Sequence, residues 1–295
     1  MRIAHVTDIH VQVRPGLSQV LNKRLLGSVN LYLFGRHAKF TPQVQQALVD
    51  AVLALEPDVV ACSGDLTAQA TDEEFEAAHA LLEPLFSRQP TVVVAGNHDV
   101  YTRGAERDRR IEQHFGSWTG TGEWPRKRLI GDDLAFVCVE SCRAHLLSSG
   151  RVGPDQLERL DAMLRDPDLK GRAVFVMLHY PLRGRKGEPY GPATRALSDA
   201  RALESVLSKH AERIAAVLHG HEHHGFRSAV PAATRDIPIF NPGSSGYAWL
   251  PAAGRKAHFC VYTVAGDDVA VERFAYDGDQ GAFVPEPGGA WATGG

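Results

Sequence analysis

The chain has 295 residues, of which 44% are hydrophobic and 23% charged, and its formal net charge is −3. This length and apolar content can bury a full core, and the nearly balanced charge gives no reason to expect nucleic-acid binding. No stretch reaches the roughly 20 apolar residues of a membrane-spanning helix, and the first residues lack the pattern of a secretory signal. We therefore expect a cytoplasmic protein with reduced thiols at Cys62, Cys138, Cys142 and Cys260.

Short apolar runs rich in Val, Ile or Phe predict buried strands at 2–8, 58–65, 91–99, 134–141, 173–180 and 214–221. Amphipathic patterns predict helices at 41–55, 71–86, 153–164 and 199–212. Thr41 before Pro42 predicts an N-cap, and Thr71 with Glu74 predicts a capping box. Residues 258–264 and 269–276 predict a hairpin. Strands that alternate with helices predict an α/β fold.

The chain shows neither an internal repeat nor a linker, so we expect one domain at 1–276. Residues 277–295 are rich in Gly, Pro and Ala, and this composition predicts a C-terminal tail that wraps around the domain or stays disordered.

The most unusual part of the domain is a basic, apolar insertion at 11–40. No Asp or Glu occurs from 11 to 49, whereas basic residues alternate there with Leu, Val and Phe. This composition is typical of a segment that contacts a membrane surface, which here would be a peripheral contact through 14–39 at the inner face of the membrane. An ordinary helix packed on the domain, with its basic face in water, explains it equally well.

Side chains with metal-binding atoms follow most of the predicted strands: Asp8, His10, Asp65, Asn97, His179 and His221. Ligand sites of open α/β sheets lie at the carboxyl ends of strands. Asp8 and His10 are two residues apart, as are His221 and His223, so in extended backbone each pair points to one side. Carboxylate, amide and imidazole donors without thiolate suit Mn, Fe or Zn. These donors are too many for one ion, and a shared Asp could bridge two.

These motifs resemble a known family. Asp8-Ile9-His10, Gly64-Asp65, Gly96-Asn97-His98-Asp99, His179 and Gly220-His221-Glu222-His223 are similar, in order, to the five blocks of the calcineurin-like metallophosphoesterases. The resemblance implies a four-layer α/β/β/α sandwich with its metal site at the carboxyl ends of the strands. It implies two divalent transition metal ions, with Mn favoured over Fe and Zn. One ion would bind Asp8, His10, Asp65 and His223, and the other Asp65, Asn97, His179 and His221.

The resemblance also implies hydrolysis of a phosphodiester or pyrophosphate through the binuclear centre and a bridging hydroxide. His98 would stabilise or protonate the leaving oxygen, and Asp99 would orient His98. We interpret His219 as a structural residue or a neighbour of the ligands, and His224 as a loop residue near the rim. The remaining histidines, such as His5, are interpreted as packing or surface residues.

The substrate has two candidates. The segment 11–49 is similar to that of bacterial family members linked to lipid A synthesis, which cleave the pyrophosphate of UDP-diacylglucosamine. The first candidate is therefore a lipid-linked nucleotide sugar. The second candidate is a cyclic nucleotide such as cyclic AMP. Four basic side chains are candidates for binding a second phosphate, although a solvated loop explains them as well: Arg143, Arg183, Arg185 and Lys186. A non-catalytic scaffold on the same fold is the rival outside enzymes, but this chain keeps every ligand that such scaffolds lose.

Overall fold

The structure is a computed structural model that describes residues 1–13, 39–145, 147–266, 268–288 and 291–292. Its strands are β1 Arg2–Val6, β2 Val59–Cys62, β3 Thr91–Val93, β4 Arg126–Ile130, β5 Leu134–Cys138, β6 Ala173–Met177, β7 Ile214–Leu218, β8 His224–Val230, β9 Ile237–Gly243, β10 His258–Ala265, β11 Asp268–Asp277, β12 Ala282–Pro285 and β13 Trp291–Ala292. Its helices are α1 Pro42–Leu55, α2 Asp72–Phe86, α3 Arg103–Arg107, α4 Arg110–Thr119, α5 Pro154–Met163 and α6 Ala200–Lys209.

The strands form two sheets. The first has the order β12-β11-β10-β1-β2-β3, with β13 also paired to β11, and the second has the order β4-β5-β6-β7-β9-β8. In the first sheet β1, β2 and β3 run parallel. In the second, β5, β6, β7 and β9 run parallel. The parallel strands therefore bring their carboxyl ends to a common edge of each sheet.

Alternation along the strands divides the core into layers. In β1, Ile3 packs between the two sheets with residues such as Phe136 and Phe175 of the second sheet. Its neighbour Ala4 points the other way, into a cluster with residues of α1, α2 and α4. The outer face of the second sheet packs on α5 and α6 through Leu160 and Leu203, among others. Helices therefore cover both sheets, and the predicted four-layer α/β/β/α sandwich is confirmed.

The helix starts follow the sequence signals in part. At α2 both bonds of the predicted capping box are present: the Glu74 backbone N–H donates to Thr71 Oγ1, and the Thr71 N–H donates to the Glu74 carboxylate. At α1 Thr41 holds the N-cap position before Pro42, but its side chain makes no capping bond. The N-cap position of Thr41 is thus correct, and the expected hydroxyl bond is absent.

The C-terminal stretch joins the sheet. β10 and β11 form the predicted antiparallel hairpin. β12 and β13 then pair with β11, along Phe274–Asp277 and Ala270–Val271. Both strands therefore cover the edge that β11 would otherwise present.

Residues 14–38 of the predicted basic insertion lie outside the described residues. No helix in the described part of the chain is long and apolar enough to cross a membrane. All four cysteines are described, and all are buried and free.

Candidate metal centre

Five strand ends of the two sheets deliver the predicted ligands to one place. Asp8 follows β1, Asp65 follows β2 and Asn97 follows β3 in the first sheet, while His179 follows β6 and His221 follows β7 in the second. The loops also dock on one another: the Asp8 N–H donates to the Gly64 carbonyl and the His10 N–H to the Asp65 carbonyl, both at 2.9 Å. The expected position at the carboxyl ends of the strands therefore corresponds to the structure.

The backbone at four of these residues is left-handed rather than extended. Asp8, His10, Asp65 and His221 have φ of 52°, 52°, 57° and 71°. Asp8 and His10 do converge, with 3.7 Å between Asp8 Oδ1 and His10 Nε2, but not through the extended backbone that was predicted. A left-handed conformation costs of order 1–3 kcal/mol at a residue with a side chain, so it persists where surrounding structure imposes it. The strain is concentrated where the donors meet.

The first donor group consists of Asp8, His10 and His223. His10 Nε2 lies 3.3 Å from His223 Nε2 and 3.7 Å from Asp8 Oδ1, and His223 Nε2 lies 3.4 Å from the same oxygen. Metal–ligand bonds of about 2.0–2.2 Å place neighbouring ligand atoms roughly 3–3.5 Å apart. These separations match donors that surround a single ion.

The second donor group consists of Asn97, His179 and His221. Asn97 Oδ1 lies 2.8 Å from His221 Nδ1 and 3.2 Å from His179 Nε2. Asp65 joins the groups, because its Oδ2 lies 3.6 Å from His10 Nε2 and 3.5 Å from His179 Nε2. One carboxylate oxygen therefore stands between the two groups, as a bridging ligand requires.

Each carboxylate uses one oxygen for orientation and presents the other to the centre. Asp8 Oδ2 accepts from the Thr7 hydroxyl at 2.9 Å and from the His221 N–H at 3.0 Å. Asp65 Oδ1 accepts from the His98 N–H at 2.7 Å. Because these donors are neutral, they fix the carboxylates without neutralising the charge that a cation would meet.

One buried carboxylate oxygen tests whether these residues fit a metal ion. Asp8 Oδ1 is shielded from solvent and has no hydrogen-bond partner among the described residues, although it faces the Nε2 atoms of His10 and His223. A buried carboxylate oxygen without a partner is costly unless a cation neutralises it. Carboxylate, amide and imidazole atoms are hard or borderline ligands that suit Mn, Fe or Zn. The residues present therefore fit two divalent ions.

The electrostatics keep the carboxylates ionised. Burial alone would raise the pKa of Asp8, but the imidazoles of His10 and His223 outweigh burial and hold that pKa well below its ordinary value. Burial likewise opposes ionisation of Asp65, and the charges of His179 and His98 lower its pKa nonetheless. Both acids are therefore anionic at neutral pH and ready to bind cations.

His98 lies at the edge of the centre. Its ring nitrogen and donor atoms of His10 and Asp65 all lie within 4.8 Å of one another. Its Nδ1 donates to the Ala68 carbonyl at 2.6 Å, which leaves Nε2 as the nitrogen on the other side of the ring. Its ring also stacks on Tyr101. The assignment of His98 to the leaving oxygen stays a prediction.

The role predicted for Asp99 is corrected. Its carboxylate accepts from the backbone N–H groups of Gly96 and Thr67, both at 2.9 Å, and from the Thr67 hydroxyl at 3.0 Å. Burial and the charge of Asp65 raise its pKa to about 6. Asp99 therefore ties the loop after β3 to the loop after β2, and the Ala68 carbonyl takes over the orientation of the His98 ring.

Two further histidines of the motif take different places. His219 is fully buried beside Phe226, and burial lowers its pKa to about 4. It belongs to none of the donor groups formed by the described residues. Its interpretation as a structural residue or a neighbour of the ligands stays a prediction. His224 is exposed and is the first residue of β8, so its interpretation as a loop residue was wrong.

A pocket of about 320 Å³ opens over the centre. It is lined by ligands of both groups together with Lys39, Phe40, His98, Ser148, Arg195 and Tyr247. Phe40 packs on the rings of His10 and Tyr247, with centroids 4.3 and 5.3 Å away. The described lining therefore combines the donor groups with an aromatic wall and two basic side chains.

The four basic side chains predicted to bind substrate do not line this pocket. Arg183 makes a bidentate ion pair with Glu204 at 2.5 and 2.6 Å, and Arg143 pairs with Glu140 at 2.9 Å. Arg185 lies over the Phe226 ring, and Lys186 sits in the same exposed turn.

Lys39 and Arg195 line the pocket instead. Arg195 carries no sequence signal, because it follows His179 by many residues in a loop without a motif. Lys39 is the last basic residue of the acid-free segment, which was the one available signal.

Two solved structures are among those similar to this chain in fold. The purple acid phosphatase PPD1 from yellow lupin (Lupinus luteus) seeds superposes with a TM-score of 0.62 at 14% identity, over 99% of this chain and 53% of that one. This chain thus spans about half the length of that phosphatase. Vps29 from Entamoeba histolytica, in complex with zinc, gives a TM-score of 0.39 at 13% identity over 99% of both chains. At such identities the likeness concerns the fold alone.

No curated protein sequence matches the chain significantly. The sequence model of the calcineurin-like phosphoesterases matches residues 1–225, which contain every block of the motif and both donor groups. The chain therefore belongs to the calcineurin-like phosphoesterase family.

Proposed function

We propose that the chain is a metal-dependent phosphoesterase that hydrolyses a phosphodiester or a pyrophosphate at a binuclear centre. The observation that carries this proposal is Asp65, whose Oδ2 stands 3.6 Å from His10 Nε2 and 3.5 Å from His179 Nε2. Two divalent ions held by such groups supply an activated water and neutralise the oxygens of an in-line displacement.

The chain's own residues would then divide the work. Asp8 and Asp65 fix the positions of the donor groups, and Asn97 adds a ligand atom without negative charge. His98, whose Nδ1 is held by the Ala68 carbonyl, would give a proton to the leaving oxygen from Nε2. Phe40 and Tyr247 bury the His10 side of the centre and exclude water there.

For the substrate we propose a lipid-linked diphosphate of the UDP-diacylglucosamine type, with a cyclic nucleotide such as cyclic AMP as the alternative. The support is the basic, apolar composition of 11–40. Residues 14–38 are not described, but Lys39 and Phe40, which follow them directly, line the pocket. The same composition underlies our proposal of a cytoplasmic protein that contacts the inner face of the membrane peripherally through 14–39.

A panel of phosphoesters tests the function. With Mn²⁺ added, we expect hydrolysis of bis-p-nitrophenyl phosphate and of the UDP-linked lipid, with Asp65→Ala as the inactive control. Hydrolysis of cyclic AMP but not of the UDP-linked lipid would favour the cyclic-nucleotide alternative. The absence of hydrolysis of every ester would favour a non-catalytic scaffold.

A variant of the insertion separates the two substrates further. Replacing Leu25, Leu26, Leu33 and Phe34 with Ser should reduce hydrolysis of the lipid-linked substrate and binding to anionic liposomes. Hydrolysis of bis-p-nitrophenyl phosphate should persist. Equal losses on both substrates, with lower thermal stability, would mean that the segment packs on the domain.

A further inference from the structure

We propose that Arg195 forms an anion subsite beside the metal ligands and binds the second phosphoryl group of a diphosphate-linked substrate. This inference rests on the proposed function, because it assumes that the first phosphoryl group lies at the donor groups. It selects a diphosphate over a cyclic monophosphate, a choice that the metal ligands alone leave open.

The position of Arg195 is the first argument. The pocket of about 320 Å³ is lined by Asp65, Asn97, His221 and His223 of the centre, and Arg195 lines the same space. A group held at the ligands therefore shares one cavity with the guanidinium. A second phosphoryl group, joined to the first through one oxygen, would remain in that cavity.

The state of the guanidinium is the second argument. Among contacts with described residues, Arg195 has one ion pair, to Glu222 at 3.6 Å, and its side chain is 51% exposed. The nearby Arg183 is held by Glu204 through two bonds of 2.5 and 2.6 Å. A guanidinium carries five N–H donors and matches the oxygens of a phosphoryl group in pairs. Arg195 therefore keeps donors for an anion, whereas Arg183 is already occupied.

The loop that carries Arg195 is attached to the metal-binding motif. Glu222 lies between His221 and His223 in the sequence, and its Oε1 accepts a bond of 2.5 Å from the Tyr190 hydroxyl. The same oxygen faces Arg195. The backbone N–H of Arg195 donates to the Pro192 carbonyl, and Leu197 forms a β-bridge with Gly150. These contacts fix the loop relative to the centre, so that the subsite exists before substrate binds.

The charge balance of the centre is a further argument for the subsite. Two divalent ions would carry four positive charges, of which Asp8 and Asp65 would neutralise two and the attacking hydroxide a third, so that the remaining charge matches one phosphodiester group. A second phosphoryl group adds another negative charge farther from the ions, where a guanidinium is the suitable partner. A cyclic monophosphate has no such group, and Arg195 would be superfluous for it.

The test compares two ligands that differ in their number of phosphoryl groups. UDP-glucose and uridine 5′-methylphosphate are measured as competitive inhibitors of bis-p-nitrophenyl phosphate hydrolysis. A ligand that is also cleaved inhibits with its own KM, so the readout serves in either case. In the wild type UDP-glucose should bind more tightly. In Arg195→Gln the ratio of the two inhibition constants should shift about tenfold against UDP-glucose, which corresponds to about 1.4 kcal/mol.

Two variants control for structural effects. Arg183→Gln removes a neighbouring guanidinium that lies outside the pocket and should leave the ratio unchanged. Arg195→Lys retains the positive charge and should keep part of the preference for UDP-glucose. An unchanged ratio in Arg195→Gln, equal shifts in the Gln and Lys variants, or a wild type that does not prefer UDP-glucose would each overturn the subsite.

Calorimetry separates this inference from the proposed function. The dissociation constants of the same two ligands are measured with the Mn²⁺-loaded protein, without any reporter reaction. If bis-p-nitrophenyl phosphate is not hydrolysed, the proposed function fails, and the calorimetric ratio still decides on Arg195. If it is hydrolysed but the ratio does not respond to Arg195→Gln, the subsite alone fails.

Discussion

The two ends of the sandwich carry very different cavities. The cavity at the amino ends of the parallel strands has a volume of about 780 Å³ and is lined by Arg172, Arg213 and Arg235. The pocket at the carboxyl ends is less than half as large, at about 320 Å³. Volume alone would place the site at the wrong end.

The two cavities differ in whether their polar groups have hydrogen-bond partners. At the amino ends, the arginines donate to backbone carbonyls: Arg172 to Gly131 and Asp168, and Arg235 to Ala211 and Ile214. At the carboxyl ends, Asp8 Oδ1 lacks a hydrogen-bond partner among the described residues and faces two imidazoles. Polar groups that satisfy one another stabilise the fold, whereas polar groups left to face one another across a gap indicate a ligand.

The largest expected effect is at the bridging ligand. Asp65→Ala should lower kcat/KM for bis-p-nitrophenyl phosphate by about 10³ or more, because the two ions contribute several kcal/mol to the transition state. It should also reduce the bound metal at both positions, whereas His10→Ala should mainly weaken one. Elemental analysis and kinetics measure both effects. Arg213→Gln, in the opposite cavity, is the matched control, and full metal content in Asp65→Ala would refute the bridge.

Removal of His98 should have the next largest effect. His98→Ala should keep both ions and lose about 10²–10⁴ in rate on esters with poor leaving groups. The loss should be smaller with p-nitrophenolate, which needs little protonation as it leaves. A series of aryl phosphodiesters of increasing leaving-group pKa measures this dependence. An equal loss along the whole series would assign His98 to the support of the metal ligands instead.

At the opposite end we expect an effect on stability without one on catalysis. Arg235→Gln removes donors to the Ala211 and Ile214 carbonyls, so the free energy of unfolding should fall by about 1 kcal/mol. Urea denaturation measures this loss, with Arg201→Gln on the exposed face of α6 as the control. A decrease in kcat/KM of Arg235→Gln would contradict the assignment of the larger cavity to the fold alone.

The last effect appears only below neutral pH and concerns His5, which lies in β1 between the two ends. The side chain is fully buried between Tyr262 and Ser63, and burial lowers its pKa from 6.5 to about 3. Between these pH values the unfolded chain binds a proton that the folded chain does not. Stability should therefore decrease as the pH falls, by up to about 1.4 kcal/mol per pH unit from this group. His5→Gln should show a shallower slope in acid denaturation, and an unchanged slope would refute the account.

The fold was predictable where buried strands form continuous apolar runs. β1, β2, β5, β6 and β7 lie inside the sheets and gave such runs. β4 reads Arg-Lys-Arg-Leu-Ile and β8 begins at His224; both are edge strands, whose polar outer positions obscure the pattern. β9 contains two prolines, which favour other conformations. The sequence patterns therefore predicted the apolar strands, the edge strand β3 among them, but not β4, β8 or β9.

The site shows the same division. The residues of the two donor groups could be named because most of them follow a predicted strand and because their motifs resemble those of a known family. Arg195 could not be predicted, because its place in the pocket depends on the contact of its loop with Glu222 and not on a sequence motif. The resemblance implied that Asp99 orients His98, whereas the Asp99 carboxylate accepts hydrogen bonds from the backbone N–H groups of Gly96 and Thr67.

The central claim is that two ions at the carboxyl ends of the strands carry the activity. The most direct measurement titrates metal-free protein with Mn²⁺ and records bound metal and bis-p-nitrophenyl phosphate hydrolysis in the same samples. We expect binding to saturate at two ions per chain, with full activity only when both are bound. Activity that persists in the metal-free protein, or that reaches its maximum without bound metal, would contradict the account.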